Sequence, residues 1–394
     1  MIYHLFEHFK YVDFPGAGIM QYISVRSILA SVLAILISLI IGNTIIKFLK
    51  RKQIADDIRD IGLQDQTSKK GTPTMGGIII LLSIFIPVIL FGDLSNVYIQ
   101  LLLLTLVWLG ALGFADDYIK VFKKNKEGLS GKYKIIAQIM LGLAVGITIA
   151  VQEDHLNTLT TIPFIKNNEF DYAWLAFGSG ITKEIIQVII YVIVITFIIT
   201  GVSNSANLTD GLDGLAAGVS AIVGATLGVL AYLSGNVIYS DYLNIMFIPG
   251  ADEIVVFLAA MVGGLLGFLW YNSYPAQVFM GDTGSLALGG IIGVAAVLIR
   301  KELLLPILCG VFFAEAASVI IQRTYYKYTR KKYGEPRRIF MSSPLHHHFQ
   351  KPDGVKGMVK FVPKYKMHEV KITNRFWLIS IILAFITLIT LKIR

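Results

Sequence analysis

The sequence predicts an all-α integral membrane protein, and three observations carry that prediction. Hydrophobic residues make up 55% of the 394 residues and charged residues only 15%, whereas an ordinary soluble domain carries about 25% charged residues. Mean hydropathy is +0.67. Apolar runs approaching the roughly 20 residues that cross a hydrocarbon core recur along the whole chain. Little chain is left for a soluble domain, so residues 1–394 are read as a single polytopic membrane domain.

About ten transmembrane helices are expected, near 27–49, 76–92, 97–115, 134–151, 185–203, 215–234, 253–271, 285–300, 302–322 and 376–393. The first apolar run begins near Ser27 and exceeds the roughly 7–15 residues of a signal-peptide core. No small-residue cleavage site follows it, so no removed leader is expected. The third run ends at Asp116-Asp117, the fifth at Asn204 and the seventh at Asn272. Arg300-Lys301-Glu302, with Pro306 beyond, separates the eighth run from the ninth, because charges and a proline both oppose a continuous buried helix. The lone Cys309 falls inside the ninth run, where packing is its expected role and an intrachain disulfide is ruled out. The window 153–184 reads as a connector without chemistry.

Charge orients the chain. With ten spans, one face carries loops near 50–75, 116–134, 203–214, 272–284 and 323–375. Counted from the helix ends, those loops hold 27 of the 35 Lys and Arg residues. The positive-inside rule makes this face cytoplasmic and puts both termini on the periplasmic side. The net charge of +9 is accounted for by topology and calls for no nucleic acid; the cations also suit anionic lipid headgroups.

Four polar clusters interrupt the apolar chain on that face. Asp116 and Asp117 stand in GFADDYIK, with Lys120 four residues after Asp116 and so on the same helical face. Acids at a helix end can simply mark the water boundary. Two adjacent carboxylates also offer what a divalent cation or a proton acceptor requires. In NSANLTDGLDG, Asn204, Asn207, Asp210 and Asp213 recur every three residues, a regularity that a plain loop rarely has. Asp282 sits between glycines in GDTGS, beyond Asn272, Pro275 and Phe279. Thr283 or Ser285 can cap the following helix, and glycines at a helix start suit close approach to phosphate.

The fourth cluster is His346-His347-His348. Zinc would want further ligands than this chain offers nearby, so acid–base work or a hydrogen bond to phosphate fits better. Glu315 lies within the ninth run, seven residues before Gln322, as an intramembrane acid that is either a site residue or an interhelical hydrogen-bond acceptor. Lys69-Lys70 and Thr72 to Gly77 open the second run, with snorkelling and phosphate contact both open to the lysines.

These strings resemble a known family. DDYIK from Asp116, NSANLTDGLDGLAAG from Asn204, NSYPAQVFMGDTGSLALGG from Asn272, SPLHHHF from Ser343 and TPTMGG from Thr72 resemble the motifs of the phospho-N-acetylmuramoyl-pentapeptide transferases. Those enzymes belong to the polyprenyl-phosphate N-acetylhexosamine-1-phosphate transferase superfamily. The resemblance runs in order from the first span to the last.

It implies a ten-helix enzyme of the bacterial cytoplasmic membrane, usually a homodimer, working at the cytoplasmic face with Mg2+. Such an enzyme transfers phospho-MurNAc-pentapeptide from UDP-MurNAc-pentapeptide to undecaprenyl phosphate, giving lipid I and UMP, the first membrane step of peptidoglycan synthesis. By that likeness Asp282 is the expected Mg2+ ligand and Asp117 a second or water-mediated one, with Asp116 acting on the lipid phosphate. His346 and His347 are expected on the phosphates, with Lys69, Lys120 and Lys132 on anionic oxygens. Asn204, Asp210, Asn272 and Phe279 are expected to shape a uridine pocket. Thr74, Asn207, Asp213, Gln322 and His348 complete the expected substrate contacts.

One stretch departs from the pattern. The loop after the histidines is long and basic, and Gln350 stands where an acid usually follows the aromatic residue. Two other readings remain open at this stage: a sister enzyme that loads GlcNAc-1-phosphate onto the same lipid, and a secondary transporter. A transporter would line a midplane path between inverted repeats; here no repeat is evident and the acids sit at span ends.

Overall fold

A computed structural model describes residues 1–9, 17–52, 71–123, 125, 127–152, 158–164, 169–350 and 358–391. Fourteen helices run through them: α1 (Ile2–Phe9), α2 (Ile23–Arg51), α3 (Gly77–Phe91), α4 (Val97–Phe122), α5 (Gly131–Gln152), α6 (Ile181–Thr209), α7 (Leu215–Ser234), α8 (Val237–Leu243), α9 (Glu253–Asn272), α10 (Gly281–Leu298), α11 (Leu305–Leu308), α12 (Gly310–Tyr333), α13 (Leu345–Gln350) and α14 (Glu369–Thr390). Nine of the ten expected spans each fall on one of them. Eight are long and apolar enough to cross a membrane, and the 15-residue α3 is a shorter apolar helix. The expected ninth span is broken: the segment Glu302–Leu308 meets α12 at 77°.

Several expected boundaries are corrected. α4 continues past Ala115 to Phe122, α6 past Ser203 to Thr209, and α10 starts at Gly281 rather than 285. Apolar runs stop at polar residues, but helices need not. Helical backbone hydrogen bonds do not depend on side-chain polarity, so a helix continues wherever its polar side chains find partners. Asp116, Asp117, Asn204 and Asn207 are therefore helical residues, not loop residues.

α10 is the centre of the bundle. It packs against α3, α4, α6 and α7, and every residue from Thr283 to Leu298 is buried. Close approach at its start needs glycine: a Cβ on Gly113 of α4 would lie 2.2 Å from the Asp282 carbonyl oxygen. α2 and α9 pack side by side, with α3 against both. At one end Arg26 donates to both carboxylate oxygens of Glu253, at 2.8 and 2.5 Å, and to the Phe91 carbonyl at 3.2 Å. The Tyr3 ring lies 4.3 Å from the guanidinium. This pair ties α2, α9 and the end of α3 together.

The window 153–184, expected as a plain connector, holds a two-stranded antiparallel hairpin of β1 (Leu159–Thr161) and β2 (Glu169–Asp171). It covers the turn between α10 and α11. The Thr161 amide donates to the Arg300 carbonyl at 3.0 Å, Lys301 Nζ donates to Thr161 Oγ1 at 2.6 Å, and the Tyr172 hydroxyl donates to Glu302 at 3.1 Å. Arg300 also donates to the Tyr191 hydroxyl. The charged trio expected at a water boundary is buried instead, and burial lowers the Lys301 ammonium to about 8.

Breaking the Arg26–Glu253 pair leaves a buried charge uncompensated. Arg26→Met is expected to lower stability by about 3–5 kcal/mol, and Arg26→Met with Glu253→Gln to recover much of it. Thermal unfolding of the detergent-solubilised chain reads this out. An unchanged midpoint for the single variant contradicts the assignment.

Candidate active site

Three helices bring four charged groups together. Lys120 Nζ lies 2.6 Å from Asp116 Oδ2 and 3.3 Å from Asp282 Oδ2; Lys134 Nζ lies 3.0 Å from the first and 2.6 Å from the second. Carboxylate and ammonium thus alternate around a ring that joins α4, α5 and α10. Asp116 is fully buried. Its second oxygen accepts the Leu129 amide at 2.6 Å, at the end of the link into α5.

Asp117, next on the same helix, turns toward the start of α10. It accepts the amides of Asp282 (3.1 Å) and Thr283 (3.0 Å) and the Thr283 hydroxyl at 2.6 Å. A carboxylate is favoured at a helix N-terminus because the first amides lack intrahelical partners. Asp117 therefore anchors the first turn of α10 and aims Asp282. Gly281 has φ +74°, and a Cβ there would lie 2.5 Å from Asp117 Oδ2, so only glycine fits this corner. Asn207 donates to Asp282 Oδ1 and to Ser285 Oγ, each at 2.9 Å, and so holds Asp282 from the α6 side.

Asp116, Asp117 and Asp282 each offer one oxygen, all within 4.8 Å of one another. Such hard oxygen donors suit Mg2+. Three carboxylates against two ammonium groups also leave a net negative charge for a cation to balance. Asp210, just past α6, is pushed up to about 8, first by burial and then by the charges of Asp282 and Asp117. The residues fit a divalent cation.

The segments around this cluster are clasped. The Phe279 amide donates to the Pro73 carbonyl and the Gly76 amide to the Phe279 carbonyl, each at 2.8 Å. This strap puts buried Thr74 beside Gly281. Asp213 accepts the Ala276 amide at 3.0 Å, while its own amide donates to Glu369 of α14 at 2.7 Å. Asn272 accepts the Gly214 amide at 3.1 Å and donates to the Val278 carbonyl at 2.9 Å. Asn204 donates to Gln138 at 2.7 Å.

The histidines lie on α13. His346 is fully buried; Glu315 accepts its amide at 3.1 Å and has an oxygen 3.2 Å from its Nδ1. Its Nε2 faces Gly211, where a Cβ would sit 2.1 Å away. Glu315 is thus an interhelical acceptor that seats the histidine against the turn carrying Asp210 and Asp213. His347 Nδ1 meets Gln350 Oε1 at 2.8 Å. His348 Nδ1 accepts the Met341 amide at 3.1 Å, and burial lowers its pKa, which keeps that acceptor neutral.

Sequence reasoning is corrected at several positions. Lys132 is exposed, and the lysine of this helix that reaches the carboxylates is Lys134. Two residues apart on a helix point to nearly opposite sides. The missed signal was periodic: Lys134 stands four residues before buried Gln138, which bonds Asn204 and Ser203. Asn272 and Gln322, expected at substrate, spend their amides on backbone; Gln322 accepts the amides of Ile339 and Phe340 and donates to the Phe340 carbonyl. Glu369 had no motif to mark it. Lys69 lies outside the described residues.

Comparison with known proteins bears on the family. The profile of glycosyl transferase family 4 matches residues 99–300, and signature 1 of the phospho-N-acetylmuramoyl-pentapeptide-transferases matches residues 69–81. The chain is 55% identical to the phospho-N-acetylmuramoyl-pentapeptide-transferase of Parabacteroides distasonis, 53% to that of Porphyromonas gingivalis and 51% to that of Flavobacterium psychrophilum, each over the full length of both proteins. With its site carboxylates on two of the matched helices and its relatives aligned end to end, the chain belongs to the phospho-N-acetylmuramoyl-pentapeptide-transferase family.

Proposed function

We propose that this protein transfers phospho-MurNAc-pentapeptide from UDP-MurNAc-pentapeptide to undecaprenyl phosphate, releasing UMP and forming lipid I at the inner face of a bacterial cytoplasmic membrane. The observation that carries the proposal is the ring of Asp116, Asp282, Lys120 and Lys134, with Asp117 beside it. The full-length relatives support the substrates, and the cation-rich loops support the orientation. The homodimer usual for the family belongs to the same proposal.

In the reaction an oxygen of undecaprenyl phosphate attacks the β-phosphorus of the nucleotide sugar. The bond from that phosphorus to the bridging oxygen breaks, and the oxygen leaves with UMP. Charge grows on the phosphoryl and leaving oxygens. Asp116, Asp117 and Asp282 would hold Mg2+, which when bound would supply Lewis acidity toward those oxygens. Lys120 and Lys134 offset the negative charge of the carboxylates and bring cations to the edge of the pyrophosphate. Asp117 and Asn207 fix the direction of Asp282, which preorganises the site before substrate arrives. His347 and the turn at Asp210 are assigned to the substrate's polar groups. Buried His346, with Glu315 behind it, positions that turn.

Asp116 is a poor nucleophile in this setting. Its oxygens are engaged by two ammonium groups and the Leu129 amide. A lipid phosphate is already anionic at neutral pH, so direct attack in one step is the favoured route.

Asp282→Asn is expected to cut UMP release by about a thousandfold or more while the chain still inserts and folds. UMP release from UDP-MurNAc-pentapeptide but not UDP-GlcNAc, in the presence of undecaprenyl phosphate and Mg2+, is the expected preference. Failure to release UMP from either sugar sinks the transferase reading. Lys134→Met should lower turnover by about a hundredfold, and Lys132→Met should leave it within about twofold, as an exposed substitution does. Equal losses in the two variants contradict the ring. Labelled UMP should not exchange into the nucleotide sugar without lipid acceptor; steady exchange would establish a covalent enzyme intermediate instead.

A further inference from the structure

The described part of the loop that departs from the family pattern, from Met358 on, forms a shelf at the end of the bundle that holds the carboxylates. Residues 358–361 run beside 338–339: the Arg338 amide donates to the Met358 carbonyl (2.9 Å), the Lys360 amide to the Arg338 carbonyl (3.0 Å), and the Phe361 amide to the Ile339 carbonyl (2.9 Å). The Phe361 ring stacks on Phe340 with centroids 6.5 Å apart, and Lys360 Nζ lies 4.8 Å from the Tyr325 ring. Gln322 holds residues 339 and 340 from behind.

These contacts fix the depth of the shelf. Gln322 and Tyr325 stand where the outer face of α12 changes from exposed Ile320 and Ile321 to Arg323 and Lys327. That change marks where the helix leaves hydrocarbon for headgroups. The shelf also feeds directly into α14 at Glu369, so both of its ends are tied to membrane-crossing helices.

Its outer surface mixes two chemistries. Met358 is 67% exposed, Phe361 61%, Val362 54% and Tyr365 68%. Lys360, Lys364 and Lys366 alternate with them and are exposed. Among the described residues of 323–375, twelve are Lys or Arg and two are Glu, and Glu369 is buried against the Asp213 amide. Apolar side chains interleaved with cations at a membrane boundary match an anionic lipid surface, which offers acyl chain and phosphate at one depth.

We propose that residues 358–366 form a docking surface for anionic phospholipid headgroups of the protein's own membrane. Lys360, Lys364 and Lys366 meet phosphates, while Phe361, Val362 and Tyr365 enter the interface between them. The proposal rests on the membrane-spanning fold and not on the transferase reading.

The test places a photoreactive benzoylphenylalanine at Tyr365 in the full chain. The protein is reconstituted in phosphatidylcholine bilayers doped with a minor share of phosphatidylglycerol, irradiated, and its adducts weighed by mass spectrometry. Phosphatidylglycerol adducts are expected about fivefold above that lipid's share of the bilayer, the ratio that one lysine's attraction supplies. The enrichment should fall at high salt. It should vanish in Lys360→Gln/Lys364→Gln/Lys366→Gln, whose unfolding midpoint and UMP release serve as folding controls. Adducts that follow bulk lipid composition overturn the proposal, as does unchanged enrichment in the triple variant. Adducts of protein mass in native membranes, without lipid adducts, assign the surface to a protein partner and overturn it equally.

Discussion

Carboxylates buried at a junction of apolar helices must be neutralised, and the structure around this site follows from how that is done. Asp116 and Asp282 are bridged twice, by Lys120 from α4 and by Lys134 from α5. A single buried pair would recover little of its desolvation cost. A ring in which each ammonium serves two carboxylates recovers more and fixes three helices at once. Removing any member leaves its neighbours uncompensated, so the ring constrains fold and chemistry together.

Around it, most polar side chains serve one another. Asp117 anchors α10, Asn207 holds Asp282, Asn272 and Glu369 brace the turn at Asp213, and Glu315 seats His346. These bonds hold the carboxylate cluster rigid, and electrostatic stabilisation of a transition state requires such preorganisation. The negative charge left over is the property a cation site needs.

The opposite end shows the same economy of polar groups in a different role. Arg300, Lys301 and Glu302 break the helical path between α10 and α12, and the hairpin of β1 and β2 closes over them. The bend of 77° that follows sets the direction of α12, and α12 carries both Glu315 and the shelf beside Gln322. A polar turn at one end thus influences where the histidine helix meets the carboxylates at the other.

The fold class and the ten apolar runs were legible in the sequence because burial in lipid demands long uninterrupted apolar stretches, a local signal. The pairing of Asp116 with Lys120 was legible too, since helical spacing alone brings them together. The partners that come from elsewhere in the chain were not. Lys134 and Lys132 differ only in helical phase, Glu369 carries no motif, and Asn272 and Gln322 turned inward to backbone atoms. The break at Arg300 was visible, but not that its charges are buried, because the hairpin that covers them is distant in sequence. Sequence by itself determined the membrane architecture and the identity of the acidic residues, through composition and periodicity. Tertiary structure decided which lysine neutralises which carboxylate and which polar groups remain for substrate, because those choices depend on distances between helices that no local pattern encodes.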